Sequence, residues 1–263
     1  MTRRLDWQDY RTTEFAGLDP ARVIAVLPTA AVEQHGPHLP VGVDTFIMAG
    51  MLDALRRVCP DDLDLRILPI QAVGKSNEHI HAPGTLTLPA EVALKAWVEI
   101  GLSVARAGLR KIVLVNSHGG NLDLVSILSR ELRVRAGMLA VKCQWGAFGV
   151  PEGTYPDREA AFGIHGGDGE TSLMLAFRPD LVDMDAAQDF RSRAEGAAIP
   201  PTGAISHGWV ASDLNPHGVV GDASAATAEK GRAICGHQVA GFVDLLRKVR
   251  DEPLRFAPTQ PDL

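Results

Sequence analysis

Two carboxylates and an imidazole with the spacing Glu33-x-His35-x8-Asp44 lie within one short stretch, Glu33-Gln34-His35-Gly36-Pro37-His38-Leu39-Pro40-Val41-Gly42-Val43-Asp44. Glutamate, histidine and aspartate converging on one point form a divalent-metal pattern, and mixed nitrogen and oxygen donors suit zinc, manganese or iron. A second candidate ligand, His118, stands immediately before Gly119-Gly120. A third group pairs His165 with Glu170 across Gly166, Gly167 and Gly169. A carboxylate there could complete a metal site, and a histidine beside it can move a proton near neutral pH. The competing reading is a set of polar loops whose histidines cap turns and whose Glu170 favours a helix N-terminus.

The flanking segments decide between these readings. Val23-Ile24-Ala25-Val26-Leu27-Pro28 reads as a buried strand. If it persists, Glu33 and His35 share a face, because side chains alternate along a strand. Phe46 to Leu52 opens a helix over about 45–58, with Asp44 or Thr45 at its N-cap. Leu65–Ile70 is a second strand, and a helix follows over about 89–107. Lys111–Asn116 is continuously apolar and largely β-branched at its centre, as a central parallel strand should be. A helix over 122–135 ends at Gly137, and Met138–Cys143 is the next strand. Leu173–Phe177 starts another helix, residues 179–220 are irregular, and the last helix covers about 223–249.

Strands alternating with helices imply βαβ units: an α/β chain, read as one domain over 1–263, with a mostly parallel sheet. Ligands of such sheets bind beyond the carboxyl ends of the strands. The loops at 33–44, 71–88, 116–121 and 145–170 each follow a strand and so share that end. This agreement favours the metal reading. Gly119 and Gly120 would let a substrate approach the backbone, and the N–H groups of a helix start favour an anion. Asn116 would orient the loop or the substrate. His79 and His81 are expected to line the pocket, and His38 to support the first loop from behind. His207, His217 and His237 are expected to be structural. The loop holding Trp145, Phe148 and Tyr155 would form a lid or pocket wall.

Composition removes several classes. The 263 residues are 46% apolar and 22% charged, with a formal charge of −6. The lysines and arginines are scattered, so nothing marks a nucleic-acid partner. No apolar run approaches the roughly 20 residues that span a bilayer. The N-terminus lacks the apolar stretch of a signal peptide. Cys59, Cys143 and Cys235 are far apart and form no CxxC, which fits a reduced cytoplasm and buried thiols.

The motifs taken together resemble the creatininase (creatinine amidohydrolase) family. The resemblance is carried by Glu33 to Pro40 with Asp44-Thr45, Ser76-Asn77-Glu78-His79 with Pro83-Gly84-Thr85, Asn116 to Asn121, His165 to Ser172, and Gly218 to Asp222. It runs from about residue 22 to 245. It implies a three-layer α/β/α fold, a two-metal amidohydrolase site at the strand C-termini, and a homo-oligomer, often a hexamer. By position, Glu33 and His118 would bind one ion, His35 the other, and Asp44 would bridge them, with zinc first among the candidate metals. Ser76, Asn116, Gly119, Gly120 and Trp145 would contact substrate. Creatininase itself has a Tyr where this chain has Gly119 and a metal-binding Glu where it has Gly120. The Gly-Gly form resembles instead relatives such as formamide deformylases and the mycofactocin-associated peptidase. The inference is that Glu170 enters the vacant metal position, or that water fills it.

These assignments lead to hydrolysis of a small-molecule amide, lactam or formamide. His165 would protonate the departing nitrogen, and Glu170 would ligate or shuttle the proton. Hydrolysis of a phosphoester is disfavoured, because only Lys75 and Arg158 lie in candidate loops to grip a phosphate. A third possibility is a metal-binding subunit without turnover.

Overall fold

The computed structural model describes residues 3–255. Four strands form one parallel sheet: β1 (Val23–Thr29), β2 (Asp64–Ile67), β3 (Lys111–Asn116) and β4 (Leu139–Gln144), in the order β2-β1-β3-β4. The helices between them are α1 (Val43–Val58), α2 (Ala90–Arg106) and α3 (Leu122–Ala136). Beyond β4 follow α4 (Asp157–Phe162), α5 (Asp168–Phe177), β5 (Asp189–Phe190), α6 (Ala211–Leu214), β6 (Gly221–Asp222) and α7 (Ala228–Asp251). β5 and β6 make a small antiparallel pair.

Alternation along the strands builds the two cores. Ile24, Val26, Val113 and Val115 face one way, where Met48, Leu52, Phe242 and Leu246 of α1 and α7 cover them. Ala25, Leu27, Ile112 and Leu114 face the other way, against Trp97 of α2 and Leu128 and Leu132 of α3. All seven residues of β1 are buried, as a strand covered on both faces must be. The result has the parallel βαβ units expected from the alternating pattern, in the three-layer α/β/α arrangement that the family resemblance implies. Among the described residues no helix is long and apolar enough to cross a membrane.

The strand order places the chemistry. β1 pairs with β2 on one side and β3 on the other, so the chain leaves β1 at a point where the winding direction reverses. Loops that follow the two strands flanking such a switch point diverge and leave a crevice. The Glu33–Asp44 and His118–Asn121 segments follow β1 and β3.

Boundaries differ from expectation in several places: β2 ends at Ile67 rather than Ile70, α7 begins at Ala228 rather than about 223, and three further differences bear on the site. Helix α1 starts at Val43 with Gly42 as N-cap, so neither Asp44 nor Thr45 caps it. Thr45 donates its hydroxyl to the Ala31 carbonyl, and Asp44 in the first turn is buried with its side chain in the crevice. Helix α5 begins at Asp168 rather than Leu173, which puts Glu170 in its first turn. The stretch between β4 and α5 contains α4 rather than an unbroken loop.

Helices α5 and α7 pack most intimately, and this fixes Glu170. Lys230 of α7 donates to Asp168, Ser172 donates to the other oxygen of Asp168, and the Thr227 backbone N–H donates to Ser172. Gly231 lies where any side chain would meet the Ser172 carbonyl. Gly231→Ala should therefore lower stability by about 1–3 kcal/mol through overpacking. Gly236→Ala on the same helix meets nothing and should be neutral or stabilising, because alanine is the better helix former. Denaturant titration of the two variants checks this.

Candidate active site

Five side chains from four segments meet at the switch point. Val32 bridges to Leu86 and the Glu33 N–H donates to the Val41 carbonyl, which closes the first loop back on itself. Glu33, His35, Asp44 and His118 are each at most 4% exposed, and His165 is 8% exposed.

The backbone fixes what three of the imidazoles present. A carbonyl can only accept, so a ring nitrogen bonded to one carries the proton, and the other nitrogen of a neutral ring is then bare. His35 donates through Nδ1 to the Glu33 carbonyl at 3.0 Å. Its Nε2 is left bare, 3.9 Å from Asp44 Oδ2 and 3.7 Å from Glu170 Oε2. His118 donates through Nε2 to the Lys75 carbonyl at 2.9 Å, with Ser76 Oγ also near. Its Nδ1 lies 3.2 Å from Glu33 Oε1 and 3.7 Å from Asp44 Oδ2. His165 donates through Nε2 to the Gln34 carbonyl at 2.8 Å, leaving Nδ1 3.5 Å from Glu33 Oε1. A histidine pinned at its rear nitrogen is the arrangement that orients a metal ligand.

The carboxylates complete the picture. Both oxygens of Glu33, Oδ2 of Asp44 and Nε2 of His35 are buried with no hydrogen-bond partner. Buried polar atoms are almost always paired. Four unpaired donor atoms from three residues that come within 4.8 Å of one another fit a cation. His35, His165 and Glu170 form a second such group, and Glu33, Glu78 and His118 a third.

The electrostatics agree. Burial, reinforced by Glu33, pushes the Asp44 carboxyl well above its usual range. Burial also opposes charge on Glu33 and on His118, but their mutual attraction prevails, lowering the one and raising the other. Burial brings His35 and His79 down to about 4.

A cavity of about 440 Å3 opens onto this cluster. Its floor includes Glu33, Asp44, His118 and Glu170, and its far wall is Pro201–Gly203, Gly208 and Trp209. Trp209 Nε1 donates to the Pro201 carbonyl at 2.8 Å and ties that wall together.

The family model for creatininase, described as creatinine amidohydrolase, matches residues 8–246. The chain belongs to the creatininase family. It is 31% identical to the mycofactocin precursor peptide peptidase of Mycolicibacterium smegmatis, over 86% of this chain and 85% of that protein. It is 30% identical to the creatinine amidohydrolase of Pseudomonas putida, over 97% and 96%. A crystal structure of creatinine amidohydrolase (creatininase) superimposes with a TM-score of 0.72 at 25% identity, covering 95% of this chain and 99% of that one. The family and these relatives are hydrolases.

Within this creatininase fold the expected substrate contacts separate. Gly119 and Gly120 line the cavity. A side chain at Gly119 would enter open space, whereas one at Gly120 would collide with the Glu78 carboxylate and the Lys75 carbonyl. Glu78 thus occupies the volume that a residue at 120 would claim. Ser76 and Asn116 are fully buried behind His118. Asn116 accepts from Thr29 and Asn121 and donates to the His118 carbonyl, so it shapes the loop. Trp145 lies away from the cavity, 4% exposed and edge-on to Phe242 at 4.9 Å. Its loop packs on α7, and Trp209 is the tryptophan at the site.

His38 holds the third loop from behind, through the Gly166 carbonyl and the Thr171 hydroxyl. The residues that sequence reasoning undervalued are Gln34, Glu78, His79 and Trp209. His79 is 4% exposed, stacks on His165 at 4.3 Å and places Nε2 3.4 Å from Glu33 Oε1. Its signals were the alternation around Ile80, which is indeed exposed, and its place in the Ser76–His79 motif.

A pH test follows for the metal-free protein. An unfolded histidine titrates near 6.5, and His35 in the fold near 4. A lowered pKa means that the unfolded chain binds the proton first. The contribution of His35 to stability is then complete above about pH 6.5 and declines as pH falls toward 4. The difference in Tm between the protein and His35→Gln should shift against the native protein between pH 6.5 and 5. A constant difference would show that His35 does not titrate there.

Proposed function

We propose that the protein is a metal-dependent amidohydrolase that cleaves a non-peptide carbon–nitrogen bond, of the cyclic amide, lactam or formamide type. The observation that carries this reading is the set of unpaired buried donor atoms on Glu33, His35 and Asp44. Glu33 and His118 would hold one divalent ion, His35 and Glu170 the other, and Asp44 would be shared. Solved creatininases at 25–26% identity are described as a Zn-Zn form and a Mn form, which supports zinc first and manganese next. When bound, such an ion pair polarises a carbonyl and acidifies a water at neutral pH.

The chain's own residues supply the rest. His165 is held by the Gln34 carbonyl with Nδ1 bare, so Nδ1 can take a proton and return it to the departing nitrogen. Glu170 is steadied by the Gly166 N–H and stands in the first turn of α5. Gly119 leaves the backbone open to the substrate carbonyl, where N–H groups can receive a developing oxyanion. Among the described residues Lys75 is the one lysine or arginine lining this cavity, and it is bound to Glu78 at 2.9 Å. That argues against a phosphoester.

A second reading, cleavage of a peptide bond, is favoured by the named activity of the Mycolicibacterium smegmatis relative and by the Gly-Gly pair in place of creatininase's side chains. A screen of small lactams, formamides, creatinine and short peptides on zinc- and manganese-loaded protein separates the two. Turnover of peptides alone would overturn the first reading, and turnover of nothing would leave a metal-binding subunit.

Two variants test the assignments. Asp44→Ala should lose both ions by elemental analysis; one ion retained at full occupancy would refute the shared carboxylate. His165→Ala should keep its metal and lose about 10²–10⁴-fold in turnover, the usual worth of a general acid–base. Loss of metal would make His165 a ligand.

A further inference from the structure

His79 approaches the cluster as closely as the expected ligands do, and Glu33, His79 and His165 come within 4.8 Å of one another. By distance alone it would be a further metal ligand. The hydrogen bonds around Gln34 say otherwise.

The Gln34 amide is oriented twice over. Its Oε1 accepts from the Gly36 backbone N–H at 2.9 Å, and its Nε2 donates to the Gly218 carbonyl at 2.7 Å. Neither partner can exchange roles, since a backbone N–H only donates and a carbonyl only accepts. Nε2 has a second hydrogen, and His79 Nδ1 lies 2.8 Å away. His165 Nε2, at 3.3 Å, does not compete for it, because that nitrogen is itself a donor to the Gln34 carbonyl. His79 Nδ1 must therefore accept. An imidazole that accepts at Nδ1 is neutral and carries its proton at Nε2. That proton faces the cluster, where Nε2 is 3.4 Å from Glu33 Oε1.

His79 is thus the inverse of its neighbours. His35, His118 and His165 spend their outer nitrogens on backbone carbonyls and turn the other nitrogen inward, bare in His35 and His165 and facing Glu33 in His118. His79 accepts from a side chain and turns an N–H inward. Gly218 makes this possible: it has φ +72, and any side chain there would strike the Gln34 amide.

We infer that His79 is a positioning residue rather than a ligand: Gln34 fixes its tautomer, and its Nε2–H faces Glu33 Oε1 at 3.4 Å without closing a hydrogen bond, so that it attracts the carboxylate into place and leaves both oxygens to a metal ion. The inference rests on the metal reading above and adds a residue pair, Gln34 and His79, to it. The ring also backs His165, which is sandwiched between His35 at 4.2 Å and His79 at 4.3 Å.

The experiment compares the full-length protein with His79→Ala, His79→Gln and Gln34→Ala. Cobalt(II) serves as the probe, and affinity, stoichiometry and the visible absorption spectrum are read. The amide nitrogen of His79→Gln can reproduce the N–H at Nε2 without an imidazole nitrogen. The expected result is cobalt affinity lowered about 10–100-fold in His79→Ala and Gln34→Ala, the usual cost of losing a residue that orients a ligand. His79→Gln should recover to within a few-fold, with stoichiometry and absorption spectrum unchanged. A missing metal equivalent or an altered spectrum in His79→Gln would make His79 a ligand and overturn the inference. So would unchanged affinity in His79→Ala. Failure of the native protein itself to bind cobalt would strike the metal reading instead, and the two failures are told apart by which protein shows them.

Discussion

The centre of the molecule is one carboxylate oxygen. Glu33 Oε1 lies 3.2 Å from His118 Nδ1, 3.4 Å from His79 Nε2 and 3.5 Å from His165 Nδ1. A buried carboxylate without compensation costs several kcal/mol, so the surrounding structure must supply it with partners. These rings arrive from three segments far apart in the chain, and only a fold that brings strand ends together can deliver them; His118 and His79 turn N–H groups toward the oxygen, whereas the bare Nδ1 of His165 can share it only with a cation. The reversal of winding at β1 and β3 does so.

The second requirement is that the imidazoles be aimed. Helices and sheets consume their own carbonyls, so the carbonyls available to aim a side chain are those of irregular loops. The Glu33, Gln34 and Lys75 carbonyls each take the proton of one ring. The loops must then be rigid without being regular, and the Gly218–Asp222 segment provides this. Val219 is fully buried against Gly36, whose φ of +77 and lack of a side chain admit it, and it also touches Gly166. Gly218 seats the Gln34 amide, and His165 and Val220 exchange backbone hydrogen bonds. One short stretch before the last helix thereby locks the loops that carry His35 and His165 together.

Much of this is written in the chain. The apolar runs of β1 and β3, the helices between them and the histidine-bearing loops at one sheet end follow from patterning, and patterning reports burial. The failures are where burial pattern and contact part company. Asp44 sits one residue inside α1, where composition suggests a cap, but its side chain is drawn to His35 and His118 from other segments. Trp145 and Trp209 both lie in irregular, glycine-rich stretches, and nothing local says that the first packs against Phe242 while the second closes the cavity. His79 reads as lining because its partners, Gln34 and Glu33, are 45 and 46 positions away in the chain. The collision of a side chain at Gly120 with Glu78 is a matter of volume, which a sequence does not display.

Charge balance then limits the chemistry. Lys75 neutralises Glu78 at 2.9 Å, so this pair is self-contained. Glu33, Asp44 and Glu170 remain, with no other lysine or arginine among the described residues lining the cavity. The two divalent ions proposed above would leave a single positive charge against three carboxylates, enough for one hydroxide or one developing oxyanion. A dianionic phosphate would overshoot that balance without an arginine to receive it. Under the proposed amidohydrolase reading, a neutral amide would acquire one negative charge on attack, which that balance would accommodate. On that reading, specificity between amides would come from groups that line the cavity without altering this balance: the open face at Gly119 and the Trp209 wall.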